Sequence, residues 1–183
     1  MEIKYVSKKT TIGLNRLNLR YVPHVEPLHL YNNDMRLKSS PHLEMLHIIA
    51  TYGFDWDKIE KSRYVKILQH KHIMGIKGYD KESVLKNLNK AWRTYSSIAK
   101  RGLRSRQGVV ILNKPFWSTR FGYKSEHTKG MEIWTGVWIC AAALFHGLKE
   151  VKGRIAEDLY PGSGAKGPFE EMYGKVDGVF DGT

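Results

Sequence analysis

Residues 131–155 read MEIWTGVWICAAALFHGLKEVKGRI, and this stretch decides the fold. It predicts four successive elements: a strand at 131–134, a turn at 135–136, a small-residue helix at 140–145 that ends at Gly147, and a strand at 149–155.

Further strands are predicted outside this stretch. The apolar run 109–112 lies between Gly108 and Asn113-Lys114-Pro115, as a buried strand should. The first 38 residues show no sustained helical period, and we interpret them as extended segments and loops. Residues 17–22 could form a strand, which Pro23 and Pro27 would confine to an edge of the sheet or end. These elements predict an α+β fold, a small mixed sheet with a helical insertion.

Three helices are predicted between the N-terminal segments and the sheet. Ser40 and Pro41 start the first, 41–52, and Gly53 ends it. Asp55 can cap a second helix, with Lys58, Lys61 and Arg63 facing outwards. Asp80 caps the third, in which apolar residues recur every three or four positions until Gly102.

The chain is strongly basic, and its charge is uneven. It has 30 Lys and Arg against 18 Asp and Glu, a formal net charge of +12. Residues 54–106 hold 14 of the basic residues and 5 of the acidic ones, whereas residues 150–183 hold 4 and 7. A basic middle third attracts polyanions, although a solvated helix face that keeps the protein soluble has the same composition.

Aromatic residues interleaved with arginines favour nucleic acid, DNA or RNA, as the partner of this segment. The residues expected to contact phosphate are Arg63, Lys66, Arg93, Arg101, Arg104 and Arg106. A second mechanism is a helix-turn-helix at 40–63 with its second helix in a major groove, although such helix pairs are also common in protein cores.

The length of 183 residues predicts a single domain, 1–183. Its expected parts are a core of 1–54 and 107–160, a basic helical insertion at 55–106 and a C-terminal tail at 161–183. No apolar run reaches the roughly 18 residues that a membrane span needs, and the N-terminus has no secretory signal pattern. We therefore expect no membrane partner and a cytoplasmic, intracellular location.

The lone Cys140 is expected to be a buried structural thiol, and the histidine spacing predicts no metal site.

The strand, Gly turn, Ala-rich helix, Gly and strand of residues 132–155 resemble the nucleotide-binding core of the ParB/sulfiredoxin superfamily. The loop 115–122, PFWSTRFG, is similar to one in virus-encoded ParB-like proteins. The likeness covers residues 107–160, extends weakly to 41–52 and leaves 55–106 as an insertion. It implies a phosphate-binding turn at Thr135 and Gly136, and ATP or CTP as the ligand.

The turn departs from the superfamily pattern, which has Asp, His or Gly, and Arg where this chain has Thr135, Trp138 and Ile139. Arg120 is the substitute anion ligand, or else it stacks on the neighbouring aromatic residues. Glu132 is a candidate general acid, general base or metal ligand, or else a solvated residue at a strand edge.

Three functions follow from these observations. The first is a ParB-like protein that binds nucleic acid through its basic helices. The second is a nucleotide-dependent enzyme, a kinase or nuclease, with Arg120 and Glu132 as catalytic candidates. The third is a catalytically dead module that holds a protein partner, which an exposed aromatic patch around Trp117, Trp134 and Trp138 would favour.

Overall fold

The computed structural model describes residues 4–5, 9–20, 28–73, 80–103, 108–112 and 131–158. Its helices are α1 (Pro41–Tyr52), α2 (Trp56–Glu60), α3 (Arg63–Ile73), α4 (Lys81–Arg101) and α5 (Val137–Phe145). Short 3-10 helices cover Leu14–Arg16, Leu28–Tyr31 and Leu37–Ser39.

The described strands are β1 (Lys4–Tyr5), β2 (Thr10–Gly13), β3 (Leu17–Asn18), β4 (Val110–Leu112), β5 (Met131–Thr135) and β6 (Glu150–Asp158). They form one mixed sheet in the order β1-β6-β4-β5-β3, and β2 pairs with β6 as well. The β3–β5 and β4–β6 pairs are parallel, and the other pairs are antiparallel. The predicted α+β class and its mixed sheet are therefore confirmed.

The two helices with the clearest capping signals begin and end where the sequence predicts. The Ser40 hydroxyl accepts a hydrogen bond from the Leu43 N–H at 3.2 Å, and Gly53 ends α1 with a φ of 70°. Asp80 accepts from the Ser83 N–H at 2.8 Å, and Gly102 ends α4 with a φ of 69°. Local capping chemistry thus marks both ends of α1 and of α4.

Other predicted boundaries are wrong. The helix after Asp55 stops at Glu60, and Ser62 separates it from α3. Helix α5 begins at Val137, three residues earlier than predicted, because Gly136 provides its N-terminal turn. Strand β6 continues to Asp158, and only 17–18 of the strand predicted at 17–22 is a strand, with 21–27 outside the described residues.

Helix α5 lies at the centre of the helical layer and contacts both α1 and α4. Cys140, Ala141, Ala142 and Ala143 are fully buried on it, since small side chains let three helices approach closely. The predicted burial of Cys140 is confirmed. Within the residues described, no helix is long and apolar enough to cross a membrane.

Candidate nucleic-acid interface

Helix α4 presents a basic face to solvent. One acidic residue, Glu82, and six basic residues occupy the helix, and all seven are exposed. The basic residues are Lys81, Lys86, Lys90, Arg93, Lys100 and Arg101.

Three of these residues form a straight line, which we call the basic stripe: Lys86, Arg93 and Lys100. They are seven residues apart, so each lies about two turns and roughly 10 Å from the next on one side of the helix. The opposite side carries the buried residues Val84, Leu88, Ala91 and Ile98. The stripe therefore faces away from the core along about 20 Å of helix.

One carboxylate lies near the stripe, because Glu82 is one turn before Lys86, but it is the single acidic residue among six basic residues of α4. The ion pairs of Asp34 with Arg36 and of Glu44 with Arg63 do not involve α4. Lys81 is instead held over the ring of Trp56, with its Nζ at 5.1 Å from the ring centroid. Unpaired exposed cations on one face are the usual electrostatic footprint of phosphate recognition.

Ring contacts fix α4 on the core. The Tyr95 ring stacks on His146 at 4.3 Å and meets Phe145 edge-on at 5.3 Å. The Nε2 atom of His146 lies 3.1 Å from the Tyr95 carbonyl oxygen. Since His146 and Phe145 end α5, the basic stripe has a defined position relative to the sheet.

An open groove of about 670 Å³ runs beside the first half of α4. Its described lining extends from Lys81 to Arg93 and includes Lys86 and Lys90. Glu82, Leu85 and Asn89 line it as well, so the groove combines apolar surface with the amines and the guanidinium that an extended polyanion would contact.

Sequence reasoning predicted only part of this surface. Arg93 and Arg101 are exposed on α4 as expected, and Lys66 is exposed on α3. Arg104 and Arg106 lie outside the described residues. The prediction missed the lysines of α4, although the seven-residue spacing of Lys86, Arg93 and Lys100 was a readable signal.

Arg63 does not face outwards as predicted. Its Nε donates to Glu44 Oε2 at 2.6 Å, its Nη2 donates to the Ser39 carbonyl at 3.0 Å, and its backbone N–H donates to Glu44 Oε1 at 3.0 Å. The side chain is 21% exposed. This guanidinium ties the start of α3 to α1, and we leave it out of the candidate interface.

The second helix of the predicted helix-turn-helix is not one continuous helix. The predicted basic helix is divided into α2 and α3 at Ser62. Asp55, Asp57 and Glu60 offset Lys58 and Lys61 in the first of these pieces. The longer piece, α3, carries Lys66 exposed, whereas its Arg63 is paired with Glu44.

The turn after β5 is packed against a neighbouring segment. The Thr135 hydroxyl donates to the Gly108 carbonyl at 3.0 Å. Gly136 has a φ of 90°, and a Cβ there would lie 3.0 Å from Val109 Cγ2 and 3.1 Å from the Gly108 oxygen. A Cβ on Gly153 would lie 2.8 Å from the Val109 oxygen. Gly136 and Gly153 thus admit the Gly108-Val109 backbone between them, which explains both glycines by packing.

The other candidates of the nucleotide hypothesis lie in different surroundings. Glu132 is 1% exposed, so its interpretation as a solvated strand-edge residue is wrong. Trp138 is also buried, with its ring 4.7 Å from that of His42, and it cannot contribute to the predicted exposed patch. Arg20 covers the Trp134 ring at 4.2 Å. Arg120 and Trp117 fall outside the described residues.

Two titratable groups whose titrating atoms are shielded from water are held in their neutral forms. Desolvation and the nearby charge of Lys71 lower the pKa of His42 to about 3. Burial raises the pKa of the Cys140 thiol to about 12, so the thiolate needed for nucleophilic chemistry is scarce at neutral pH. In the described ranges, no group of three or more His, Cys, Asp and Glu is arranged to hold a metal ion.

Comparisons with protein-family models, with characterised proteins and with solved structures found no match to this chain. The resemblance to the ParB/sulfiredoxin superfamily therefore stays a prediction.

Proposed function

We propose that this protein binds nucleic acid, with the basic stripe on α4 holding the phosphate backbone. The observation that carries the proposal is the concentration of six exposed basic residues and one acidic residue on a single helix. A ParB/sulfiredoxin-like core would act as the scaffold that presents this helix.

The interactions are mainly electrostatic. Each lysine or arginine that neutralises a phosphate releases a condensed counterion, and this release supplies most of the free energy of sequence-independent binding. Contacts from Lys86, Arg93 and Lys100 reach phosphates and not base edges, so they position the nucleic acid without reading its sequence. Lys66, Lys81, Lys90 and Arg101 extend the same positive field.

Fluorescence anisotropy with a labelled oligonucleotide tests the proposal. The variant Lys86→Ala/Arg93→Ala/Lys100→Ala removes the stripe and is expected to weaken binding by about 10-fold or more at low salt. The matched control, Lys38→Ala/Lys149→Ala/Lys152→Ala, removes three other exposed lysines and the same net charge. It is expected to weaken binding much less, because those lysines lie outside α4.

The comparison between the two triple variants separates a site from a general charge effect. Equal losses in both would mean that only net charge matters, and the assignment to α4 would be incorrect. A wild-type protein that binds neither DNA nor RNA at low salt would end the proposal altogether.

A further inference from the structure

We infer that the aromatic turn Tyr52-Gly53-Phe54 stacks unpaired bases, so that the ligand of the basic stripe is single-stranded nucleic acid. The inference rests on the proposed function, because the stripe supplies the phosphate contacts. It adds the form of the ligand and two residues that no electrostatic argument would select.

The two rings are unusually exposed. Tyr52 is 54% exposed and Phe54 is 40% exposed, on either side of a glycine with a φ of 70°. Among the described residues, the other large apolar side chains with comparable exposure are Ile73 and Leu148, which lie elsewhere in the chain. Two partly exposed aromatic rings at one turn are available to stack on a ligand.

The Phe54 ring contacts α4. The Phe54 ring meets Trp92 edge-on at 6.5 Å, and Trp92 stacks on Tyr95 at 4.4 Å. Trp92 immediately precedes Arg93 of the stripe. Through Phe54, the aromatic turn therefore packs on the side of α4 next to the basic stripe.

Cations alternate with these rings. Lys58 Nζ lies 4.9 Å from the centroid of the Tyr52 ring, and Lys81 Nζ lies 5.1 Å from that of Trp56. A row of rings and amines can stack bases and pair with phosphates at the same time, as single-strand-binding surfaces do.

The accessibility of the bases determines whether the aromatic turn can bind a single strand or a duplex. Unpaired bases have free π-faces that can lie on an aromatic side chain, whereas the bases of a duplex are stacked on one another. A duplex could use the stripe but not the aromatic turn. A protein partner fits less well, because the exposed apolar surface of the turn is limited to two rings, one of which has the Lys58 amine beside it.

The experiment compares a single strand of about 20 nucleotides, as DNA and as RNA, with a blunt duplex of equal length, by anisotropy at one salt concentration. The wild type is expected to bind the single strands more tightly. Tyr52→Ala/Phe54→Ala should weaken single-strand binding by about 10- to 100-fold and leave duplex binding nearly unchanged.

Two further variants control for folding and for loss of apolar surface. Tyr52→Leu/Phe54→Leu keeps apolar bulk at the turn and should weaken single-strand binding as the alanine variant does, because it lacks the rings. Ile73→Ala/Leu148→Ala removes the other exposed apolar side chains and should change nothing. Circular dichroism melting checks that all variants remain folded.

The possible failures are distinguishable. Equal wild-type affinity for duplex and single strand, with no loss in the aromatic variants, would overturn the inference, while a loss in the stripe variant would leave the proposed function standing. If the aromatic variants lost binding of an unrelated protein but not of single strands, the turn would be a protein-docking site and the inference would be wrong. Absence of any binding would remove both proposals.

Discussion

The ring of His42 lies between Tyr64 and Trp138, at centroid distances of 5.5 and 4.7 Å. Its Nδ1 is shielded from water and has no hydrogen-bond partner among the described residues. Burial and the charge of Lys71 keep the pKa of this imidazole at about 3. The folded protein therefore contains a neutral histidine throughout the physiological range.

This histidine gives the stability a defined pH dependence. The unfolded chain binds a proton at His42 near pH 6.5, whereas the folded chain does so only near pH 3, so acid favours unfolding between these values. We expect the free energy of unfolding to fall by up to about 1.4 kcal/mol per pH unit from this group. Denaturant unfolding at neutral pH and at about pH 4.5 measures it.

The matched variant is His42→Phe, which keeps an aromatic ring but cannot be protonated. Its free energy of unfolding should depend less on pH across the same interval. If the wild type and this variant lose stability in parallel, His42 is not the buried group that we describe.

Gly136 offers a second test at the level of single residues. Gly136→Ala combines a left-handed backbone with a Cβ only 3.0 Å from Val109, and we expect it to lower the free energy of unfolding by about 2–4 kcal/mol. Gly147 also has a positive φ of 80°, but open space surrounds its Cα. Gly147→Ala should therefore cost less, about 1–2 kcal/mol. Equal costs in thermal or denaturant unfolding would contradict the close packing of Val109 on the turn.

Some of these residue environments could not be predicted from the sequence. The glycine of the Thr135-Gly136 turn was readable, but its neighbour Val109 is 27 positions away and no local pattern connects them. The burial of Glu132 likewise depends on what covers strand β5, which periodicity over five residues does not reveal.

At the scale of elements, α1 and α3 are joined by an arginine, and α4 is left with arginines in solvent. Arg63 makes three hydrogen bonds to Glu44 and Ser39, whereas Arg93 is exposed on the stripe. The same residue type thus has two roles that the sequence alone did not separate.

A pair of matched substitutions should separate these roles. Arg63→Met should lower the free energy of unfolding by about 1–2 kcal/mol, because it breaks a partly buried charged hydrogen-bond set, and should change nucleic-acid affinity little. Arg93→Met should weaken nucleic-acid binding and change the free energy of unfolding little. Chemical denaturation and anisotropy on both variants decide the matter, and a larger affinity loss for Arg63→Met would return Arg63 to the interface.

The helices show how far local signals extend. Ser40, Gly53, Asp80 and Gly102 fixed α1 and α4 correctly, since caps act within one turn. The break at Ser62 was missed, because the Glu44 carboxylate that holds the start of α3 lies 19 residues upstream. The early start of α5 was missed because Val137, Trp138 and Ile139 have the composition of a strand.

At the scale of the whole molecule, the net charge of +12 predicted attraction to polyanions but not the surface that provides it. The fold provides this surface by burying the apolar side of α4 against α5, which leaves the basic side of the same helix exposed. The seven-residue spacing of the stripe was present in the sequence, although its exposure depended on the packing of α5.

The most direct test is the salt dependence of binding. We expect the logarithm of the association constant to fall linearly with the logarithm of salt concentration, and the slope to be smaller by about 2–3 in Lys86→Ala/Arg93→Ala/Lys100→Ala, since three phosphate contacts are lost. The control variant Lys38→Ala/Lys149→Ala/Lys152→Ala should keep the wild-type slope. An unchanged slope in the stripe variant would contradict the claim that α4 holds the phosphate backbone.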